Sequence, residues 1–375
     1  MMNILCWITL GIALLSAAPA VAEHATLFAS SFAPGDQGAI EAFAFDTKTG
    51  ELTSVHRNGD IANPFFFAVS PDQKFLYSIH APTFGGKEPE QIAAYQLKGK
   101  PGQLDLLNRQ TTRGTASCYV DVDATGKSVL VANYSSGSVI SYSVQADGSL
   151  SPPVSFVQHQ GSSVNPARQK EPHAHCFVIS PDNQFAYAAD LGIDQIISYS
   201  LNPANAQLTA NAQPFVRTPP GAGPRHLVFH PNGKWIYVIN ELLNSVTRFE
   251  YQSETGMLIE KQTITTLPKD YTGTTHTADL KITPNGKFLY GTNRGHDSVA
   301  AYRIADDGEL TLIEIEPSLG KGPQNLVITA EGKWLLCANM PGNNISVFRI
   351  GDDGAITPHG TPTEIVMPSC LRLLK

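Results

Sequence analysis

The sequence predicts an all-β protein, a seven-bladed β-propeller, and three observations support this prediction. A strand–turn–strand unit recurs along the 375 residues. Successive turns are separated by 46 to 57 residues, which is the length of four short strands with their turns and therefore the size of one blade. The strands are rich in β-branched residues and alternate with period two, a pattern that excludes a helical fold.

The repeated unit consists of two strands around a tight turn. Each copy places Pro, Asp, Asn or Gly between two apolar runs, and this pattern predicts a β-hairpin. Four copies contain a proline in the turn, and two copies lack it. The six copies occupy residues 63–80, 118–133, 175–190, 225–240, 278–293 and 324–339.

A third strand recurs seven times, once more than the hairpin. Its copies are residues 38–45, 90–97, 137–144, 194–201, 244–251, 297–304 and 343–350. The missing first strand is found at the C-terminus, where Pro368–Leu374 resembles the opening strands of the other blades. We therefore expect N-terminal strands within residues 25–60 to pair with this C-terminal strand. Such pairing closes the ring and removes exposed sheet edges.

The first residues predict a targeting signal. Residues 4–18 form an apolar run that is shorter than the roughly 20 residues of a membrane-spanning helix. Ala20-Val21-Ala22 and polar Glu23 follow, which is the pattern of a secretory signal peptide cleaved after Ala22. A short membrane anchor is the alternative, since no Lys or Arg precedes the run. The predicted organisation is a signal peptide at 1–22 and one propeller domain at 23–375, periplasmic or secreted and not membrane-bound after cleavage.

Composition restricts the class of partner. The chain has 26 Lys and Arg against 33 Asp and Glu, a net charge of −7. An acidic chain without a basic run is a poor match for nucleic-acid phosphates, so nucleic-acid binding is not expected. Hydrophobic residues make up 42% of the chain, which excludes wholesale disorder. No obligate protein partner is inferred.

Cysteine and histidine spacing gives no zinc pattern. Four cysteines remain after the predicted cleavage, and no CxxC pair accompanies them: Cys118, Cys176, Cys337 and Cys370. We expect them to be buried small hydrophobic residues. His173-Ala174-His175 would place two imidazoles on one face of a strand, so the geometry would allow this pair to bind a metal ion. Because no carboxylate partner is visible for this pair, we expect no metal and no cofactor.

Aligning the copies on their turns shows which positions are equivalent around the ring. The innermost strands of a propeller line a central channel, and one position near the start of each first strand faces it. In the seven blades this position holds Phe65, Cys118, His175, Arg225, Ala278, Gln324 and Ser369. The position that follows the second strand holds Ala81, Tyr134, Leu191, Glu241, Arg294 and Met340.

Ionisable residues that occur in single blades are the candidate catalytic residues. An internal repeat does not explain Arg225, Glu241 and Arg294, which neighbouring blades contribute to one mouth of the channel. We expect them to act with the His173/His175 pair. Arginine grips an anion in a planar fork, and Glu or His can accept a proton. A structural Arg–Glu–Arg network between blades is the alternative, and no GxSxG motif indicates a serine nucleophile.

A ring of polar residues ends the second strands, and it includes Asn240 and Asn293. Asparagine side chains readily bond nearby backbone, so turn capping accounts for most of this ring. Because they lie at the same mouth, Asn240 and Asn293 are also the predicted substrate-binding residues, together with His226 and His276.

Four segments together resemble the seven-bladed propeller lactonase family. They are EPHAHCFVISPD (171–182), GAGPRHLVFHPNGKWIYVINEL (221–242), DLKITPNGKFLYGTNRGHDSVAAYRI (279–304) and GKGPQNLVI (320–328). This family includes bacterial 6-phosphogluconolactonases and fungal carboxy-cis,cis-muconate cyclases. In the cyclases the proposed site uses one histidine, two arginines and one glutamate. By motif position, the resemblance implies that Arg225, Arg294 and Glu241 take those roles and that His173 or His175 is the histidine.

The resemblance implies an exported, cofactor-independent lactonase whose partner is a small sugar-type lactone. Glu241 or a histidine of the His-Ala-His motif would activate water, and Arg225 and Arg294 would stabilise the oxyanion. Export weakens the inference that the substrate is a phosphorylated sugar lactone, because such compounds are scarce outside the cytoplasm. Two alternatives stay open: a muconate-type cyclase, and a propeller scaffold that binds without catalysis.

Overall fold

A computed structural model describes residues 24–374, in which twenty-eight strands form seven four-stranded antiparallel sheets. Each sheet is one blade, and the predicted seven-bladed propeller is confirmed. The helical structure of this range is one 3₁₀ turn, Gly35–Gln37. The predicted signal peptide, residues 1–22, lies outside the described residues. Within the described range no helix has the length and apolar character that a membrane crossing requires.

The blades follow one another along the chain. Blade 1 contains β1 (His24–Ser31), β2 (Ala39–Asp46), β3 (Leu52–Asn58) and the C-terminal β28 (Pro368–Leu373). Blade 2 contains β4 (Phe67–Val69), β5 (Phe75–His80), β6 (Gln91–Leu97) and β7 (Leu104–Thr111), and blade 3 contains β8 (Ser117–Val122), β9 (Ser128–Asn133), β10 (Ser138–Ser143) and β11 (Ser155–Gln158).

The remaining four blades repeat this pattern. Blade 4 contains β12 (Ala174–Ile179), β13 (Phe185–Asp190), β14 (Gln195–Asn202) and β15 (Gln207–Arg217), and blade 5 contains β16 (Pro224–Phe229), β17 (Trp235–Asn240), β18 (Ser245–Gln252) and β19 (Met257–Thr265). Blade 6 contains β20 (His276–Ile282), β21 (Phe288–Arg294), β22 (Ser298–Ile304) and β23 (Leu310–Pro317), and blade 7 contains β24 (Pro323–Ile328), β25 (Trp334–Asn339), β26 (Asn344–Ile350) and β27 (Ile356–Glu364).

The ring is closed by the two ends of the described chain, as predicted. β28 pairs antiparallel with β1, and β1 pairs with β2. The buried hydroxyls of Ser30 and Ser369 lie 2.8 Å apart across this junction. Leu371 is fully buried among apolar residues of blades 1 and 7. Blade 1 therefore depends on chain segments that are more than 300 residues apart in sequence.

Neighbouring blades are held together by apolar faces and by one recurring hydrogen bond. A buried tyrosine of the second strand donates its hydroxyl to a glycine carbonyl of the next blade; one example is Tyr237 to Gly308, over 2.7 Å. Gly308 has φ +84°, and a Cβ there would lie 2.8 Å from the Trp235 ring. Glycine is required at this turn because both the backbone conformation and the close ring contact exclude a side chain.

Candidate active site

A β-bulge places one residue of each site-forming inner strand in the channel. In blade 5 the pairing register shifts between Pro224 and His226, so that Arg225 is the extra residue of β16. Bulges re-aim a side chain out of the regular alternation and are common beside active sites. The same shift occurs at three other channel positions: Cys118, His175 and Gln324. Four of the seven residues in the slot identified from the repeat are therefore bulged residues.

The bulged residues line a cavity of about 200 Å³ at one mouth of the channel. The volume equals roughly seven water molecules, so the cavity suits a small, compact ligand. One part of the wall is aromatic, because Phe65 and Phe84 stack with ring centroids 5.0 Å apart. The complete lining comprises Phe65, Phe84, Ala116, Cys118, Tyr134, Arg168, His175, Arg225, Glu241, Arg294, Gln324 and Met340.

Glu241 is the centre of the polar wall. Its Oε2 accepts hydrogen bonds from Nε of Arg225, over 3.0 Å, and from Nη2 of Arg294, over 2.7 Å. Its Oε1 accepts a bond of 2.7 Å from Nη2 of Arg168. Burial alone would raise the pKa of Glu241, but the three guanidinium groups outweigh burial and hold this pKa well below its ordinary value. The carboxyl group is therefore ionised throughout the neutral range.

Arg225 is the most deeply buried of the three arginines, with 1% of its side chain exposed. Burial, together with the charge of Arg294, lowers the pKa of Arg225 to about 10, so the group keeps its charge at neutral pH. Nη1 donates to the carbonyl oxygen of Ala278 over 2.6 Å. Within residues 24–374 no protein group accepts a bond from Nη2, which is therefore available to a ligand.

His175 is a neutral imidazole in the same cavity. Burial, followed by the charge of Arg225, lowers the pKa of His175 well below 6.5. The Cys118 thiol donates to the His175 carbonyl oxygen over 3.3 Å, while Nδ1 of His175 lies 3.6 Å from Sγ. Burial raises the pKa of Cys118, so the sulfur remains a thiol. This arrangement favours the tautomer with the proton on Nδ1, and Nε2 has no hydrogen-bond partner in the described range.

The predicted residue His226 lies beneath the cavity and not in its wall. Its Nδ1 is 2.9 Å from Oδ1 of Asp279, and its Nε2 is 3.1 Å from Nη1 of Arg225. Burial and the charge of Arg225 lower the pKa of His226 to about 3 despite Asp279. The ring packs edge-on against Tyr119 and Phe66. His226 therefore supports Arg225 from below, and its predicted substrate-binding role stays a prediction.

Four other predicted residues also lie outside the cavity lining. Nδ1 of His173 donates to the Tyr134 carbonyl oxygen over 3.1 Å, and its ring stacks on Tyr134. His276 accepts a bond of 3.4 Å from Nε of Arg294 through its backbone carbonyl. Asn240 donates to Ser245 and Thr247, and Asn293 donates to Thr266 and Ser298; these are local contacts of the turn-capping type. Catalytic or binding roles for the four stay predictions.

The repeat did not reveal Arg168 and Phe84, which line the cavity from loops between strands. Arg168 belongs to the segment between β11 and β12, and Phe84 to the segment between β5 and β6. Both segments are longer than the corresponding connections in the other blades, so alignment of the copies carries no signal for them. The length of the segment around Arg168, residues 159–173, is the one sequence feature that sets it apart.

A larger surface cleft of about 730 Å³ lies between blades 7 and 1. Its ionisable lining residues are Glu41 and Glu364, so it lacks opposite charges that converge on one point. No group of three or more His, Cys, Asp or Glu side chains suited to a metal ion is found in the described part of the chain. We therefore treat the cavity around Glu241 as the candidate active site.

Comparison with known proteins gives a consistent picture. Residues 26–373 match the model of a family described as "Lactonase, 7-bladed beta-propeller". The chain is 36% identical over 302 residues to a 6-phosphogluconolactonase of Bacillus subtilis, covering 80% of this chain and 84% of the relative. It is 33% identical over 307 residues to a 6-phosphogluconolactonase of Formosa agariphila, covering 80% and 85% of the two chains.

A solved structure shares both the fold and part of the sequence. The periplasmic gluconolactonase of Pseudomonas aeruginosa superposes with a TM-score of 0.88 and is 30% identical, and the match covers 94% of this chain and 99% of that one. Similarity over almost the whole of both chains means that all seven blades are shared.

Proposed function

This chain belongs to the seven-bladed β-propeller lactonase family, and from that membership we propose that it hydrolyses a sugar-type lactone at the cavity around Glu241. One observation carries the proposal: the free Nη2 of buried Arg225 and the free Nε2 of neutral His175 line the same small cavity. A donor for the carbonyl oxygen and an acceptor for a proton are the two groups that hydrolysis of an ester requires.

Arg225 is suited to stabilise the oxyanion. Water attack on a lactone carbonyl moves negative charge onto the carbonyl oxygen. A guanidinium group held by Glu241, Ala278 and His226 is already oriented, so it needs no rearrangement when that charge appears. Arg294 donates a hydrogen bond to Glu241, and each of its three guanidinium nitrogens bonds to a protein group. Arg225 therefore binds the oxygen, and Arg294 holds the carboxylate that positions Arg225.

His175 is the better candidate for the base. Both carboxylate oxygens of Glu241 accept hydrogen bonds from arginines, so neither is free to take a proton. His175 is neutral, and its Nε2 is free to take a proton from water as the water oxygen attacks the carbonyl carbon. The ring C–O bond of the intermediate then breaks, and the leaving alkoxide recovers the proton from His175. The product is the open-chain hydroxy acid, and no cofactor enters the balance.

Export is part of the proposal. The apolar run and the Ala20-Val21-Ala22 pattern support a cleaved signal, and a periplasmic gluconolactonase is among the similar proteins. An exported enzyme would meet aldonolactones more often than their phosphorylated forms. A neutral or carboxylated sugar lactone outside the cytoplasm is thus the substrate we propose first.

A panel of lactones tests the function. Purified protein is added to glucono-δ-lactone, its 6-phosphate, a glucarolactone and a carboxymuconate, and acid release is followed in weak buffer after subtraction of spontaneous hydrolysis. Enzyme-dependent acid release from any of the three lactones supports the hydrolase. Consumption of the muconate without net acid release would support the cyclase instead. Absence of turnover on all four would support a binding scaffold.

A further inference from the structure

Four bulged residues line the cavity, and a carboxylate holds the chain just before each of them. The amide two residues before the bulged residue donates in every case to an Asp or Glu side chain. Bonds to an ionised carboxylate are roughly twice as strong as those to a neutral acceptor. The bonds run from Ala116 to Glu90, from His173 to Asp190, from Gly223 to Asp194 and from Gly322 to Asp297, over 2.7 to 3.0 Å. Each bulge is thus anchored next to the residue that it directs into the cavity.

Carboxylates at this place accompany the residues of the site. Three of the four directly precede the third strand of their blade: Glu90, Asp194 and Asp297. Blades 5 and 7 have asparagine at the same position, Asn244 and Asn343. The blades that follow these two contribute Ala278 and Ser369 to the channel, and neither residue lines the cavity. The fold therefore accepts a neutral amide at this position, and the carboxylate occurs where a residue of the site follows.

Asp194 joins two segments of the chain through both of its carboxylate oxygens. The side chain is buried. Its Oδ1 accepts bonds of 2.7 Å from the Gly223 amide and from Nε2 of Gln169. Its Oδ2 accepts a bond of 2.6 Å from the Gly221 amide and another from the Ser163 hydroxyl. One carboxylate therefore fixes the turn before β16 against the segment between β11 and β12.

These contacts reach Glu241 from two sides. Gly223 is two residues before Arg225, and its carbonyl oxygen accepts a bond of 2.7 Å from the Glu241 amide. Gln169 directly follows Arg168 in the chain. Both arginines donate to the Glu241 carboxylate. The side chain of Asp194 thus sets the spacing between the backbone of Glu241 and the two segments that supply these arginines.

We propose that Asp194 is a positioning residue of the hydrolysis, which holds the turn before β16 so that Arg225 meets Glu241 and presents Nη2 to the reacting carbonyl oxygen. Asp194 lies outside the cavity lining and acts through the Gly223 peptide. A displacement of about 1 Å at a catalytic group can lower turnover by about 10²-fold. This assignment rests on the proposed lactonase function.

Alanine substitution at two equivalent positions tests the assignment. Asp194 and Asn343 both have left-handed backbone, with φ of 53° and 54°, so Asp194→Ala and Asn343→Ala introduce the same strain. Asn343 accepts a bond of 2.9 Å from the Met367 amide, two residues before Ser369. Both variants should melt at a lower temperature than the wild type.

Only Asp194→Ala should also lower kcat of the folded fraction, by about 10²-fold, on the lactone that the wild type hydrolyses fastest. KM should change little, because Arg225 meets the oxyanion only in the transition state. An equal loss of kcat in Asn343→Ala would overturn the positioning role, since it would show a general effect of strain.

Asp194→Asn is a milder variant that the fold should accept, because blades 5 and 7 have asparagine at this position. It keeps one oxygen, and so one of the two pairs of donors. Its kcat should therefore lie between the values of the wild type and Asp194→Ala. Wild-type kcat in both Asp194 variants would overturn the assignment while the lactonase function stands.

A measurement without turnover separates this assignment from the proposed function. The Nε–H resonance of Arg225 is identified in nitrogen–proton NMR spectra by its loss in Arg225→Lys. It should shift in Asp194→Ala and stay in place in Asn343→Ala. If no lactone is hydrolysed but this pattern is observed, the positioning of Arg225 is supported and the hydrolase is not. A resonance that stays in place in Asp194→Ala would overturn the assignment whatever the activity.

Discussion

Nε of Arg225 donates a hydrogen bond of 3.0 Å to Oε2 of Glu241, and these side chains are only 1% and 6% exposed. The carboxylate beside it stabilises the charge of this deeply buried arginine. The sequence left two interpretations of this pair, a structural network and a functional cluster. The two interpretations are compatible, since Arg225 is bonded to Glu241 through Nε, lines the cavity and keeps Nη2 without an acceptor in the described range.

Glu241→Gln is expected to reduce stability and activity together. Glutamine keeps the size and can accept hydrogen bonds, but it leaves three arginines without a counter-ion. Breaking a buried ion pair by removing one partner costs on the order of 3–5 kcal/mol. Turnover of the folded fraction should also fall, by about 10²-fold, because Arg225 and Arg294 repel each other out of position. Melting curves and turnover on one preparation measure both effects; full activity in the folded fraction would leave Glu241 a structural role only.

Arg225→Lys should damage the reaction more than the fold. Lysine retains the charge beside Glu241, but it cannot hold Glu241 and Ala278 while presenting a third donor to the ligand. Loss of one oxyanion donor typically lowers kcat by about 10²- to 10³-fold. The measurement is kcat at saturating lactone, with melting temperature as the control. An unchanged kcat with a raised KM would move the oxyanion role to another group.

His175→Asn is expected to lower kcat/KM by about 10²- to 10⁴-fold with little change in melting temperature. His173→Asn, measured in parallel, decides between the two histidines of the motif. If the larger loss occurs at His173, the base is the histidine outside the cavity lining and the mechanism given above is wrong.

The same base predicts a pH profile. Burial depresses the pKa of His175, so the neutral, proton-accepting form persists below pH 6.5. The value of kcat/KM should therefore stay level from pH 8 down to 6.5 and decline only under more acidic conditions. An acid limb centred above pH 6.5 would contradict a buried histidine as the base.

His80→Asn should make the protein less sensitive to acid. Burial lowers the pKa of His80 to about 4, and its Nδ1 is buried without a partner. The unfolded imidazole takes up a proton below pH 6.5, whereas the folded one does so only near pH 4, so the native state loses stability as the pH falls from 6.5 to 4. Asparagine occupies the equivalent position in blades 3, 5, 6 and 7.

Urea unfolding at pH 7 and pH 5 measures the effect of that substitution. The loss of stability between the two pH values should be smaller in His80→Asn than in the wild type, by about 1–2 kcal/mol. His175 and His226 contribute to acid sensitivity in both proteins, so the difference isolates His80. If the two proteins lose the same stability between pH 7 and pH 5, protonation of His80 does not destabilise the folded state.

Leu371→Ala tests how strongly the last strand holds the ring closed. Leu371 is fully buried, and its amide donates to Oδ1 of Asn325 over 2.8 Å. Removing a buried leucine side chain costs about 2–5 kcal/mol. Deletion of everything after Met367 should cost more, and it should promote association because it exposes the edge of β1. A deleted protein that stays monomeric and melts like the full chain would show that blade 1 does not depend on β28.

Amino-terminal sequencing of protein from the culture fluid or periplasm tests export. Cleavage after Ala22 predicts a mature chain that begins at Glu23. Intact Met1 on protein that only detergent releases would indicate a membrane anchor.

The repeat determined the propeller and a large part of the site from sequence alone. Seven copies of one strand pattern define seven blades, because each blade can bury its faces only against similar neighbours. Equivalent positions in those copies have equivalent places in the ring, so the sequence by itself predicts that Arg225, Glu241 and Arg294 lie at one mouth.

Tertiary structure decided everything that the repeat does not encode. Strand alternation placed His173 and His175 on one face, but the bulge in β12 directs only His175 into the cavity. Register gave no information on Arg168, because the segment between β11 and β12 is longer than the corresponding connections between the other blades. Its position is set by the buried contacts of Gln169 with Asp194 and Leu191. The alternation of residues along a strand predicts to which face of the sheet a strand residue points. A loop residue is placed by hydrogen bonds to distant parts of the chain, and no local sequence pattern encodes those bonds.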